Sequence, residues 1–242
     1  MNEEFRKFCI EHRIPLKRGI ILEGKPGTGK TLSLRWLKEQ ALKNKIEFNS
    51  FKSPKEFIEE KDRYFSSDKK IFIFEDFDAM LLDRKKTGDT PNSILQTLLN
   101  TLEGVDEIKD VVSIFTTNHI DNFDSAFVRP GRIDKVINYS LPNEENRFNF
   151  LECYLTEFTA GIKKFILEVL REKNADVSYA ILKGICDDIN IYKFNGAFDF
   201  ANSLDPRERE KAFADKIQTI VVEKLKGSQK GKEVRDKKDY TL

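Results

Sequence analysis

The chain has 242 residues, with 42 Lys and Arg against 41 Asp and Glu and a formal net charge of +1. That balance removes any global electrostatic argument for nucleic acid, and with no apolar run near the roughly 18 residues of a membrane span, no membrane insertion is expected. Three cysteines (Cys9, Cys153, Cys186) in no metal spacing and only two histidines exclude a disulfide scaffold and a His-rich metal site, and point to a reducing, cytoplasmic compartment.

Taken in order, short apolar strands alternate with helical stretches, which predicts an α/β fold with a five-stranded parallel sheet and crossover helices. A helix is expected over 2–12, and Met1 to Arg18 is too charged for a signal peptide. The first strand, 19–23, holds Ile20-Ile21-Leu22 and runs directly into Gly24-Lys25-Pro26-Gly27-Thr28-Gly29-Lys30-Thr31. The spacing G-x-x-x-x-G-K-[ST] is that of a phosphate-cradling loop. Its glycines let successive N–H groups turn inward onto phosphate oxygens. Lys30 adds a charge at the β/γ-phosphates, and the Thr31 hydroxyl is placed to hold Mg²⁺. A helix over 30–44 follows, so the phosphates also meet a helix N-terminus. Nucleotide contacts are therefore expected over Gly24, Pro26, Gly27, Thr28, Gly29, Lys30, Thr31 and Leu32.

A strand over 46–51 and a helix over 54–63 lead to a strand over 70–75. That strand, Ile71-Phe72-Ile73-Phe74, ends in the paired carboxylates Glu75 and Asp76, at the edge where an open α/β sheet places its ligand. One carboxylate is expected to bind Mg²⁺ and the other to activate the attacking water; the division between them is open. The turn at Asp89-Thr90-Pro91-Asn92 introduces a helix over 91–103. A strand over 110–117 ends in Thr116-Thr117-Asn118-His119, and Arg129-Pro130-Gly131-Arg132-Ile133-Asp134 precedes a last strand over 134–139. Beyond Pro142 the pattern is helical: 144–158, 161–173, 177–188, 195–204 and 206–226, with Pro206 at a first helical position. Phe, at 20 residues beside one Trp and two Met, must supply most aromatic packing. The expected organisation is a core over 1–141, a helical lid over 142–226 and a charged tail over 227–242 without fixed structure.

The phosphate loop, the carboxylate strand, Thr116-Thr117-Asn118 and the Arg129 to Asp134 run resemble the AAA+ ATPases, specifically the AAA proper clade with its second region of homology, over about residues 14–204. Ile14-Pro15-Leu16-Lys17-Arg18-Gly19 and the Glu-Asp order also resemble the mitochondrial AAA proteins that translocate the folded Rieske subunit. The resemblance implies an ATPase using ATP and Mg²⁺ in a cleft between core and lid. It implies Asn118 as a sensor holding the lytic water with Asp76, and Arg129 and Arg132 as fingers reaching a neighbour's γ-phosphate. Phe194-Asn195-Gly196-Ala197 is similar to the lid element that contacts nucleotide, through Gly196 and Ala197. A homo-oligomeric ring, expected to be a hexamer, acting on an unidentified protein client follows.

The resemblance has gaps. The segment from Lys52 to Phe65 lacks the aromatic-hydrophobic-Gly triplet of threading loops. Phe51, Phe57, Tyr64 and Phe65 are candidates that core packing explains as well. Two other classes stay open: a nucleic-acid-associated loader using the Lys-rich stretch Lys226 to Lys238, weakened by interleaved acids, and a nucleotide-gated scaffold, weakened by the intact Lys30, Asp76, Asn118 and arginine pair.

Overall fold

The computed structural model describes residues 3–65, 69–78, 98, 110–122, 127–129, 131–173, 176–195 and 206–239. Its contacts divide the chain into two compact units, Met1–Tyr139 and Ser140–Leu242. The first unit runs α1 (Glu3–Glu11), β1 (Lys17–Glu23), α2 (Lys30–Lys43), β2 (Glu47–Phe51), α3 (Pro54–Glu60), β3 (Lys70–Phe74), β4 (Val111–Thr117) and β5 (Lys135–Asn138). The five strands form one parallel sheet in the order β2-β3-β4-β1-β5, as the alternation of elements predicts.

Two-residue periodicity splits the strand side chains between two faces. Ile71, Ile73, Ile114 and Leu22 pack with Leu34 and Ala41 of α2. Phe72, Phe74, Phe115 and Ile21 face the other way, with Phe51, Phe57, Tyr64, Phe77 and Phe127. β3 is buried along its whole length, as a central parallel strand covered on both faces must be. The expected aromatic role of Phe is thus concentrated on one face of the sheet. Phe51, Phe57 and Tyr64 are core residues there, while Phe65 is exposed.

Local chemistry sets the element ends. Ser53 Oγ accepts from Glu56 N at the start of α3, with Pro54 at its first position. β1 begins at Lys17, earlier than expected, because its ladder with β4 starts at the Lys17–Val111 pair. The expected helix over 91–103 lies outside the described residues apart from Leu98, which is buried.

The second unit holds α4 (Glu144–Tyr154), α5 (Ala160–Glu172), α6 (Tyr179–Phe194) and α7 (Pro206–Asp239). Leu151, Leu155, Ile166, Leu170, Leu182, Ile185 and Val221 form its core. Asn143 Oδ1 and Ser178 Oγ cap α4 and α6. Two expectations need revision. α6 continues to Phe194, since Ile185 and Ile189 extend its buried stripe. α7 continues past Lys226 to Asp239, into the segment expected to lack structure. The Lys, Glu, Gln and Arg that dominate this segment are good helix formers, so a helix already begun can propagate through them.

Candidate functional site

β1, β3 and β4 are neighbours in register, with Glu23 opposite Thr117 and Phe74 opposite Phe115. The loops leaving their C-terminal ends therefore emerge side by side along one edge of the sheet. The phosphate loop follows β1, Glu75 and Asp76 follow β3, and Asn118 follows β4. Three segments far apart in sequence share one site because the parallel topology aligns their strand ends.

The phosphate loop is held from both sides. Gly24 N donates to Thr117 O at 3.2 Å. A Cβ at Gly24 would stand 2.3 Å from Tyr139 O, so no side chain fits between the loop and the end of β5. Gly29 caps α2 at φ 106° and has open space around it, so its glycine answers a backbone requirement alone. Thr28, buried, donates through Oγ1 to Lys25 O at 2.8 Å. Pro26, within the loop, and Leu32, just after it, have exposed side chains.

Lys30 is the centre of the arrangement. Its side chain is only 7% exposed, and Nζ donates to Gly24 O, to Lys25 O at 3.3 Å and to Asn118 Oδ1 at 2.9 Å. Burial pulls its pKa below the ordinary lysine value, opposed by the negative charges of Asp76 and Asp78. Thr31 Oγ1 donates to Glu75 Oε2 at 3.3 Å. A hydroxyl and a carboxylate converging in this way suit a hard cation such as Mg²⁺. Among the described residues no group of three or more His, Cys, Asp or Glu is arranged to hold a metal. A cation at Thr31 and Glu75 would therefore complete its shell with phosphate oxygens and water, as Mg²⁺ commonly does.

Asp76 adopts φ 47°, the left-handed region, and its N–H donates to Thr116 Oγ1 at 2.9 Å. Its side chain is exposed at the site edge. The sequence motifs assign no role of its own to Thr116, which is buried, or to Asp78, whose buried Oδ1 has no hydrogen-bond partner among the described residues. The signal for Asp78 was its place two residues after Asp76, within the same acidic run.

The trailing end of the arginine loop, Arg132 to Asp134, is anchored away from this cluster. Arg132 N and Ile133 N both donate to Arg129 O at 3.1 Å, and Gly131 turns at φ 90°. Gly19 and Asp134 clamp the loop to β1: Gly19 N donates to Asp134 Oδ2 at 2.9 Å, and Asp134 N donates to Gly19 O at 2.8 Å. A Cβ on Gly19 would lie 1.7 Å from Arg132 O. The Arg132 backbone is thus fixed beside Gly19, four residues or about 13 Å along the strand before Glu23, where the phosphate loop begins. Arg129 is exposed and Arg132 half-buried. Gly196 and Ala197 lie outside the described residues.

A parallel sheet with a phosphate loop between β1 and α2, and an acidic strand end facing it, defines the P-loop nucleoside triphosphatase class. Residues 20–141 match the family described as ATPase family associated with various cellular activities (AAA), and the chain belongs to that family. It is 29% identical over 224 residues to the ATPase family gene 2 protein of Saccharomyces cerevisiae, covering 88% of this chain and 28% of the relative. It is 32% identical over 204 residues to the peroxisomal ATPase PEX1 of the same yeast, covering 76% and 19%. The 26S proteasome regulatory subunit 8 homolog of Schizosaccharomyces pombe is 31% identical over 194 residues, covering 74% and 47%. The chain therefore spans less than half the length of each of these relatives.

Proposed function

We propose that this chain is the Mg²⁺-dependent, ATP-hydrolysing module of a protein-remodelling motor that works as a homo-oligomer. The observation that carries the reading is the convergence of Lys30 Nζ on Asn118 Oδ1, with Thr31 reaching Glu75 and Asp76 held close by. These are the positions an in-line attack on a γ-phosphate requires: a charge clamp, a cation ligand, a base and a polar guide for water.

When ATP binds, Lys30 exchanges the loop carbonyls and Asn118 for phosphate oxygens, and this frees the Asn118 amide to orient the attacking water. Asp76 takes the water proton as the oxygen attacks phosphorus, and ADP departs on the side of the phosphate loop. Glu75 and Thr31 would hold Mg²⁺, which would supply charge neutralisation for the triphosphate. Arg129 and Arg132 serve the triphosphate of a neighbouring copy, a reading supported by the fixing of the Arg132 backbone beside Gly19, near the start of β1. A relative named as a proteasome regulatory subunit supports a protein client. Unpaired Cys9, Cys153 and Cys186 support a cytoplasmic setting. Among the described residues, no helix is long and apolar enough to cross a membrane.

Two isosteric variants test the roles. Asp76→Asn keeps shape and loses the base, so it should bind ATP normally and hydrolyse it on the order of a hundredfold or more slower. Glu75→Gln should chiefly raise the Mg²⁺ concentration needed for activity. If Glu75→Gln keeps its Mg²⁺ dependence and loses only turnover, the two carboxylates hold opposite roles. If Asp76→Asn hydrolyses ATP at the wild-type rate, the hydrolysis mechanism is wrong.

A further inference from the structure

Phe127 lies two residues before Arg129, yet its ring belongs to the hydrolysis site's support. It is 1% exposed, stacked on Phe77 (ring centroids 5.3 Å apart, planes 29°) and edge-on to Phe115 (5.0 Å, 84°). Phe77 directly follows Asp76, and Phe115 directly precedes Thr116, whose hydroxyl holds the Asp76 backbone. Phe77 and Phe115 also pack on each other at 5.0 Å, and Phe115 stacks on Phe74 at 4.9 Å. The arginine loop is thus mounted at two points. Its leading end is seated by Phe127 in the aromatic cluster under Asp76, and its trailing end is clamped by Asp134 to Gly19.

We propose that Phe127 is a positioning residue for the arginine loop, fixing where one copy presents Arg129 and Arg132 to the next copy's triphosphate. The proposal rests on the reading of those arginines as acting across a subunit boundary. The reasoning is geometric. Rings packed at these distances do not slide independently, because interiors are dense and transmit displacement. A finger misplaced by about 1 Å costs on the order of a hundredfold in rate, since it serves the transition state. Phe127 therefore ties the state of a copy's own Asp76 segment to the place of the finger it offers its neighbour.

The test is pairwise mixing with two reference variants, after co-assembly is shown. Lys30→Ala has a sound finger and a dead phosphate loop, and Arg132→Ala the reverse. Phe127→Ala alone should bind ATP like the wild type and lose on the order of a hundredfold in turnover. Mixed with Lys30→Ala it should regain activity, because its phosphate loop then meets a sound finger. Mixed with Arg132→Ala it should stay inactive, because neither chain presents a finger correctly. The opposite pattern, rescue by Arg132→Ala alone, would mean that Phe127 supports only its own copy's site, and would overturn the proposal. Wild-type turnover of Phe127→Ala, or rescue by neither or both partners, overturns it equally. Lys30→Ala mixed with Arg132→Ala is the control: if that pair stays inactive, the trans reading itself fails. Should Phe127→Ala not fold, as judged by ATP binding, Phe127→Leu keeps an apolar side chain in the slot and should give the same pattern with a smaller loss.

Discussion

Asp76 combines an exposed carboxylate with a backbone that L residues rarely adopt. The left-handed region costs a non-glycine residue roughly 1–2 kcal/mol, and the bond from Asp76 N to Thr116 Oγ1 offsets about 1 kcal/mol of that. Thr116 should accordingly act on rate through Asp76. Thr116→Val keeps the β-branched shape in β4 and loses the acceptor, so turnover should fall on the order of tenfold with the KM for ATP nearly unchanged. Thr116→Ser keeps the hydroxyl and should retain most of the rate. Equal turnover in Thr116→Val and wild type would show that the bond does not position the base. At this scale the motif residues were legible, because phosphate and metal chemistry fixes both residue type and spacing. Thr116 was not, because its partner lies 40 positions away and the bond exists only once β3 and β4 pair.

At the scale of elements, the strands were legible as apolar runs, whereas their ends were set by partners. Lys17 joins β1 by pairing with Val111. α3 stops at Glu60, after which Lys61–Tyr64 form one 3₁₀ turn that carries Tyr64 into the aromatic cluster. Phe51 packs edge-on to Tyr64, Phe57 and Phe72 at 5.8, 5.2 and 5.5 Å. Composition foretold Phe packing, yet not that it would gather on one face, which depends on the phase of each strand. Burial first, and then the hydrogen bond from Tyr64 Oη to Glu60 Oε2 at 2.9 Å, push this phenol from 10.0 up to about 12. A raised folded pKa means that the neutral form is the one the fold favours. Its contribution is complete below pH about 10 and is lost as pH rises towards about 12. Tyr64→Phe removes the titration while keeping the ring. Near-ultraviolet circular dichroism across alkaline pH should show wild type losing core packing at lower pH than Tyr64→Phe. Coincident curves would contradict this account of the cluster.

For the whole molecule, the informative relation is between the two ends of β1. The phosphate loop leaves its C-terminal end, and the Arg132 backbone is fixed near its start. The sequence gives both motifs but not this separation, which follows only from the strand order β4-β1-β5 and its register. On the proposed reading Arg132 serves a site on another copy, and a head-to-tail contact of that kind would close into a ring or continue as a filament. Mixing Lys30→Ala with Arg132→Ala tests that claim most directly, with phosphate release as the readout. Each variant alone should be inactive, and the co-assembled mixture should recover a measurable share of wild-type turnover, because some interfaces then pair a sound phosphate loop with a sound finger. A co-assembled mixture as inactive as either parent, or full activity in a dilute monomer, would contradict it.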